Sequence, residues 1–169
     1  LHSISVNAQA PVSVVDQDGV DVKNLVATND DTYWHSNTAK NPSYLEMKLS
    51  DAATTPANLK LVIKRGKEGP FGSSSGSSKG SDALQYKNAS GQFVNVPSSY
   101  NPFIVTRPGA AYSSRNLVNT YGVATYVIDL SGLDIKDNTI RLVTTNNNRQ
   151  WDIDWIAVDT NPDTIGTVT

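Results

Sequence analysis

Two carboxylates near the C-terminal end, Asp152 and Asp154, stand two residues apart, the spacing that places both on one face of a strand. Such a pair can act as general acid and base on a glycosidic bond. Working pairs, however, normally come from different strands facing across a cleft, and adjacent acids on a last strand serve equally as solvated edge charges. Acyl transfer needs a histidine beside a nucleophile. His2 and His35 are the only histidines, and no Gly-x-Ser-x-Gly turn accompanies them. The chain has no cysteine, which removes disulfides, thiolate metal ligands and cysteine nucleophiles together. Zinc chemistry lacks ligands. The Gly/Ser-rich stretch 66–81 lacks the Lys-Ser/Thr ending through which a phosphate loop works. Catalysis has little to stand on, and the chain reads as a non-enzyme.

Two further groups of residues suit binding. Thr28, Asn29, Asp30, Asp31 and Thr32 collect carboxylate, amide, hydroxyl and main-chain oxygens in one tight turn, the hard donor set that calcium takes. The same residues suit an ordinary Asx turn, in which Asp30 and Asp31 bond their own backbone. Toward the C-terminus, Asn146-Asn147-Asn148-Arg149-Gln150-Trp151 combines amides, a guanidinium and an indole. Sugar binding asks for that combination: a flat apolar surface for the C–H face of a pyranose, and fixed donors and acceptors for its hydroxyls. Trp151, beside the Asn-rich run, reads as the exposed indole and Trp155 as the buried one. A tryptophan platform on the concave face of a sheet is the other arrangement. Trp34 reads as core.

Strands have to hold these side chains. Helical periodicity is nearly absent, whereas short alternating runs recur at 4–8, 44–49, 59–63, 83–87, 103–106, 124–130, 139–145 and 153–158. In Tyr44-Leu45-Glu46-Met47-Lys48-Leu49, the residues Leu45, Met47 and Leu49 share one face and Glu46 and Lys48 the other, as a half-buried antiparallel strand requires. Trp151, Ile153 and Trp155 share one face of the last strand on the same count, and Asp154, Ile156 and Val158 the other. Many strands with turn signals between them, and no interleaved helices for parallel pairing, predict an all-β, antiparallel β-sandwich or barrel.

The 169 residues suit one domain. The predicted division is a binding module over 1–159 and a polar linker or tail over 160–169, with 66–81 a mobile loop inserted between two strands. Composition is globular, 38% apolar and 18% charged, with no apolar run long enough to span a bilayer. A formal net charge of −2 supplies no basic field, so nucleic acid is not an expected partner. The one apolar and basic cluster suited to a membrane, Pro70-Phe71 beside Lys64, Arg65 and Lys67, is small, and a membrane is not expected either.

The run Ala27-Thr28-Asn29-Asp30-Asp31-Thr32-Tyr33-Trp34-His35-Ser36, the strand Tyr44-Leu45-Glu46-Met47-Lys48-Leu49 and the strand closing at Arg65 together resemble the discoidin or coagulation-factor type C family. The shared features are an acidic loop ending in Thr-x-Trp, a strand of the form Tyr-Leu-x-x-x-Leu and a next strand closed by a basic residue. The C-terminal stretch through Ile153-Asp154-Trp155-Ile156 is similar to the last loop and strand of another jelly-roll carbohydrate-binding family. The likeness covers the first third and last quarter of the chain; Phe93, Tyr100 and Tyr112 lie in a middle part that it does not place.

What this resemblance implies is a galactose-binding-like jelly roll: a bacterial, extracellular or cell-surface carbohydrate-binding module, monomeric within a larger protein and attached to an enzyme such as a glycoside hydrolase. Its partner would be a glycan or cell-surface polysaccharide. Carried over, the site is His35, Arg65, Asn147, Arg149 and Trp151, converging at one end of the sandwich. An arginine fork can pair with vicinal hydroxyls and an imidazole can accept from or donate to an axial one. The plainer readings are a turn-capping His35 and a solvated strand-end Arg65. The resemblance also implies structural Ca2+ at Asn29, Asp30, Asp31 and Thr32, aided by an acid of the last strand. Here Thr28-Asn29 replaces the usual Asp-Gly opening, the loop is a residue shorter, and Trp155 stands in the acid's place. Discoidin-type domains also bind proteins through their end loops, so protein binding or cell adhesion is the alternative function.

Overall fold

The computed structural model describes residues 9–28, 30, 32–50, 60–65, 82–97, 103–104, 124–130, 132–145 and 150–158. Among them the chain forms β1 (Ser13–Asp16), α1 (Lys23–Val26), β2 (Trp34–His35), β3 (Ser43–Lys48), β4 (Lys60–Arg65), β5 (Asp82–Lys87), β6 (Phe93–Asn95), β7 (Phe103–Ile104), β8 (Ala124–Asp129), a 3-10 turn (Lys136–Asn138), β9 (Thr139–Thr144) and β10 (Asp152–Val158). The strands pair antiparallel throughout. They make two five-stranded sheets, ordered β1-β3-β9-β5-β6 and β2-β10-β4-β8-β7. The chain changes sheet at every step except β5–β6 and β7–β8, where consecutive strands pair. The expected all-β class is what the chain adopts.

Period-two patterning explains the burial. On β3, Leu45 and Met47 are buried while Tyr44 and Glu46 are half-buried and Lys48 is exposed. On β9, Ile140 and Leu142 turn inward around a half-buried Arg141. One apolar cluster joins Leu45, Met47, Ile140 and Leu142 of the first sheet to Leu61, Ile63, Ile153 and Ile156 of the second. Each such side chain contributes about 1.5–3 kcal/mol by leaving water. Two turns that steer strands use the same chemistry. Asp16 Oδ1 accepts the N–H groups of Asp18 and Val20 around Gly19, and Asn88 Oδ1 accepts those of Ser90 and Gln92 around Gly91. Gly19 and Gly91 have φ of 76° and 81°, a conformation that disfavours a Cβ.

Strand β10 departs from simple alternation. Ile153 pairs with Arg65 and Trp155 with Lys64, two steps on β10 against one on β4. This extra residue inverts the parity of the strand: Trp151 and Ile153 enter the core before it, Ile156 and Val158 after it. The expected grouping of Trp155 with Trp151 and Ile153 is broken at this bulge. Strands β1, β2 and β6 are additions to the sequence reading. The predicted strand at 4–8, the loop at 66–81 and the tail at 160–169 lie outside the described residues.

Candidate functional site

An exposed histidine and a half-buried aspartate meet where β2 joins the start of β10. Antiparallel register sets His35 opposite Asp152 and Trp34 opposite Ile153. Trp34 and Ile153 are buried in the core cluster, so alternation turns His35 and Asp152 to the opposite face. There His35 Nδ1 lies 2.7 Å from Asp152 Oδ1, with the two side chains 53% and 28% exposed. The Tyr33 ring stacks beside the imidazole, centroids 6.3 Å apart and planes inclined by 28°.

A second set of bonds fixes the approach to β10. Ser36 N donates to Trp151 O at 3.0 Å, Trp151 N donates to Ser36 Oγ at 2.7 Å, and Gln150 Nε2 donates to Ser36 O at 3.2 Å. Ser36 is buried. These bonds extend the β2–β10 ladder by one step and anchor the chain that leaves residues 146–149.

Of the predicted sugar-contacting residues, His35 is therefore exposed and oriented by a partner. Arg65 closes β4, its backbone in register with Ile153 of β10 and Ala124 of β8, which brings its Cα to the strand end next to Asp152. Asn147 and Arg149 lie outside the described residues. Trp151 is a correction: expected as an exposed indole, it is only 1% exposed and belongs to the core. It stands two residues before Ile153, on the inward face, and the Ser36 bonds hold it there. Trp34 and Trp155 are 4% and 7% exposed, so no tryptophan offers a platform on either sheet.

The acidic turn is organised by Asp30. Its Oδ2 accepts from Thr28 Oγ1 at 2.7 Å and its Oδ1 from Thr32 N at 3.1 Å. These two bonds, the Thr28 hydroxyl first, hold the Asp30 carboxyl below the ordinary aspartate value. This is the Asx-turn geometry. Asn29 and Asp31 lie outside the described residues, and among the described ones no group of three or more histidines and acids could hold a metal ion.

The suspected acid pair is split. Asp152 binds His35, whereas Asp154 sits at the bulge with no exposed surface, out of reach of a glycosidic oxygen. Ser36, next to His35, is buried with its Oγ engaged by the Trp151 N–H, which leaves it unsuited to nucleophilic attack. Sequence reasoning missed Tyr33 and the pairing of Asp152 with His35, because a contact across 117 positions depends on a register that no local pattern encodes. Comparison with known proteins finds no matching family model, no matching curated protein and no matching solved structure.

Proposed function

We propose that this chain is a non-catalytic carbohydrate-binding module of a secreted or cell-surface protein, built as a jelly-roll β-sandwich of the galactose-binding-like kind. The observation that carries this reading is the exposed His35, bonded to Asp152 and flanked by the Tyr33 ring, at a strand junction that leads directly to Asn147 and Arg149. An oriented imidazole beside an aromatic ring supplies what a sugar requires, a directional hydrogen-bond partner next to an apolar surface. Arg65, at the neighbouring strand end, and Asn147 and Arg149, in the adjoining segment, complete the proposed set. Trp151 has no part in it. Calcium enters the proposal as a structural ion at Asn29, Asp30, Asp31 and Thr32, where it would share an Asp30 already held by its own turn.

A glycan array probed with the chain in calcium and in chelator tests this reading, with His35→Ala as the control. Selective retention that His35→Ala abolishes is the expected result. If the folded chain retains no glycan, the proposal fails and protein binding or cell adhesion through the same loops takes its place. Retention and melting temperature that ignore calcium would remove the ion from the proposal.

A further inference from the structure

We infer that Asp152 is the positioning residue of this site: it fixes the tautomer of His35 so that Nε2 faces the ligand as a hydrogen-bond acceptor for a hydroxyl donor. This inference rests on the glycan reading above. Its physical basis is the bond itself. Asp152 Oδ1 lies 2.7 Å from His35 Nδ1, and a carboxylate offers no proton, so the imidazole must carry its proton on Nδ1. A neutral imidazole has only one ring N–H. Nε2 is then left with a lone pair, on a side chain that is 53% exposed and has no further partner among the described residues.

The geometry also accounts for why the ring stays in place. His35 and Asp152 are register partners on adjoining strands, so the backbone ladder sets their separation without a flexible arm. The Tyr33 ring lies beside the imidazole, from the chain that precedes β2. Asp152 and Tyr33 are the titratable groups that meet the imidazole among the described residues, and Arg65 is one strand farther on.

A lone pair at Nε2 selects by chemistry. A sugar hydroxyl can donate to it; a sulfate or an ionised uronate has no proton to give. A glycan hydroxyl is the group that this lone pair selects.

The test separates this inference from the reading beneath it. Two-bond proton–nitrogen correlation spectra of the whole chain at about pH 8, where an ordinary imidazole is neutral, report the His35 tautomer without any ligand; a His2→Gln background removes the other histidine. The Nδ1–H form is expected in the parent, and Asp152→Asn releases it, since an amide can donate to Nδ1 as well as accept from it. On an array of neutral, uronate-bearing and sulfated glycans, Asp152→Asn is expected to weaken neutral-glycan binding about tenfold, the equivalent of one hydrogen bond, with an unchanged melting temperature. An Nε2–H tautomer in the parent overturns the inference. Unaltered retention in Asp152→Asn overturns it too, while leaving the glycan reading intact. A parent that retains no glycan but keeps the Nδ1–H form defeats the reading and the ligand class together, with the tautomer established independently.

Discussion

Arg141 and Glu46, register partners on β9 and β3, meet on the outer face of the first sheet with Nη2 2.6 Å from Oε1. The same guanidinium lies between two rings, its carbon 4.1 Å from the Tyr44 centroid and 3.9 Å from that of Phe93. The stack therefore ties β3, β9 and β6 together on that face. Its Nε is buried without a hydrogen-bond partner among the described residues, which offsets part of the gain.

A planar guanidinium can stack on two rings and still reach a carboxylate, whereas a lysine ammonium cannot keep both contacts. Arg141→Lys is expected to lower stability by about 1 kcal/mol, and Phe93→Leu in the Arg141→Lys background should cost less than Phe93→Leu alone. Urea unfolding of the double-mutant cycle measures the coupling. Additive effects would show that the stack contributes nothing beyond packing.

Trp151 carries a different expectation now that it is core. Trp151→Ala removes a buried indole and is expected to cost about 3–5 kcal/mol, a large share of a domain's stability. Trp151→Phe, which keeps the apolar ring, should cost less. Denaturant midpoints of the two variants decide this, and a Trp151→Ala chain as stable as the parent would place the indole outside the core. Any loss of binding in Trp151→Ala would then report unfolding, so His35→Ala is the better control for the site.

The difference between these residues also shows what the sequence could reveal. Leu45 and Met47 alternate with Tyr44, Glu46 and Lys48, and the fold keeps that alternation because one face of β3 is buried and the other is not. On β10 every residue from Ile153 to Val158 is buried, so polarity no longer marks the inward face, and the bulge that shifts the register leaves no local trace. Trp151 was accordingly legible as a tryptophan near a polar loop but not as a core residue. Strand β2 is two residues long and β6 three, too short for a period to emerge. His35 and Asp152 could each be singled out by type; their partnership could not, because the pairing exists only once β2 and β10 align.

Asp30 gives the acidic turn a pH signature. Its carboxyl is held below the ordinary aspartate value by the Thr28 hydroxyl and the Thr32 N–H, so the folded chain binds this proton less readily than the unfolded chain. The resulting stabilisation is present above the unfolded value and is lost as pH falls through the folded one. Asp30→Asn is therefore expected to lower the melting temperature at neutral pH and to match the parent in acid below both values. Melting curves across that range are the measurement, and a constant difference at all pH values would refute the assignment.

Ser36 anchors the chain that runs into β10. Its Oγ accepts the Trp151 N–H at 2.7 Å in a buried setting, where an unpaired amide costs about 1–3 kcal/mol. Ser36→Ala leaves that amide without its acceptor, and since the remaining Ser36 N to Trp151 O bond persists, the ladder should loosen without opening. The expected outcome is a stability loss of about 1–3 kcal/mol together with faster amide exchange at Gln150 and Trp151, while β3 and β9 keep their protection. Hydrogen exchange measured residue by residue distinguishes this from general destabilisation, in which β3 and β9 would exchange faster in step with the β2–β10 junction.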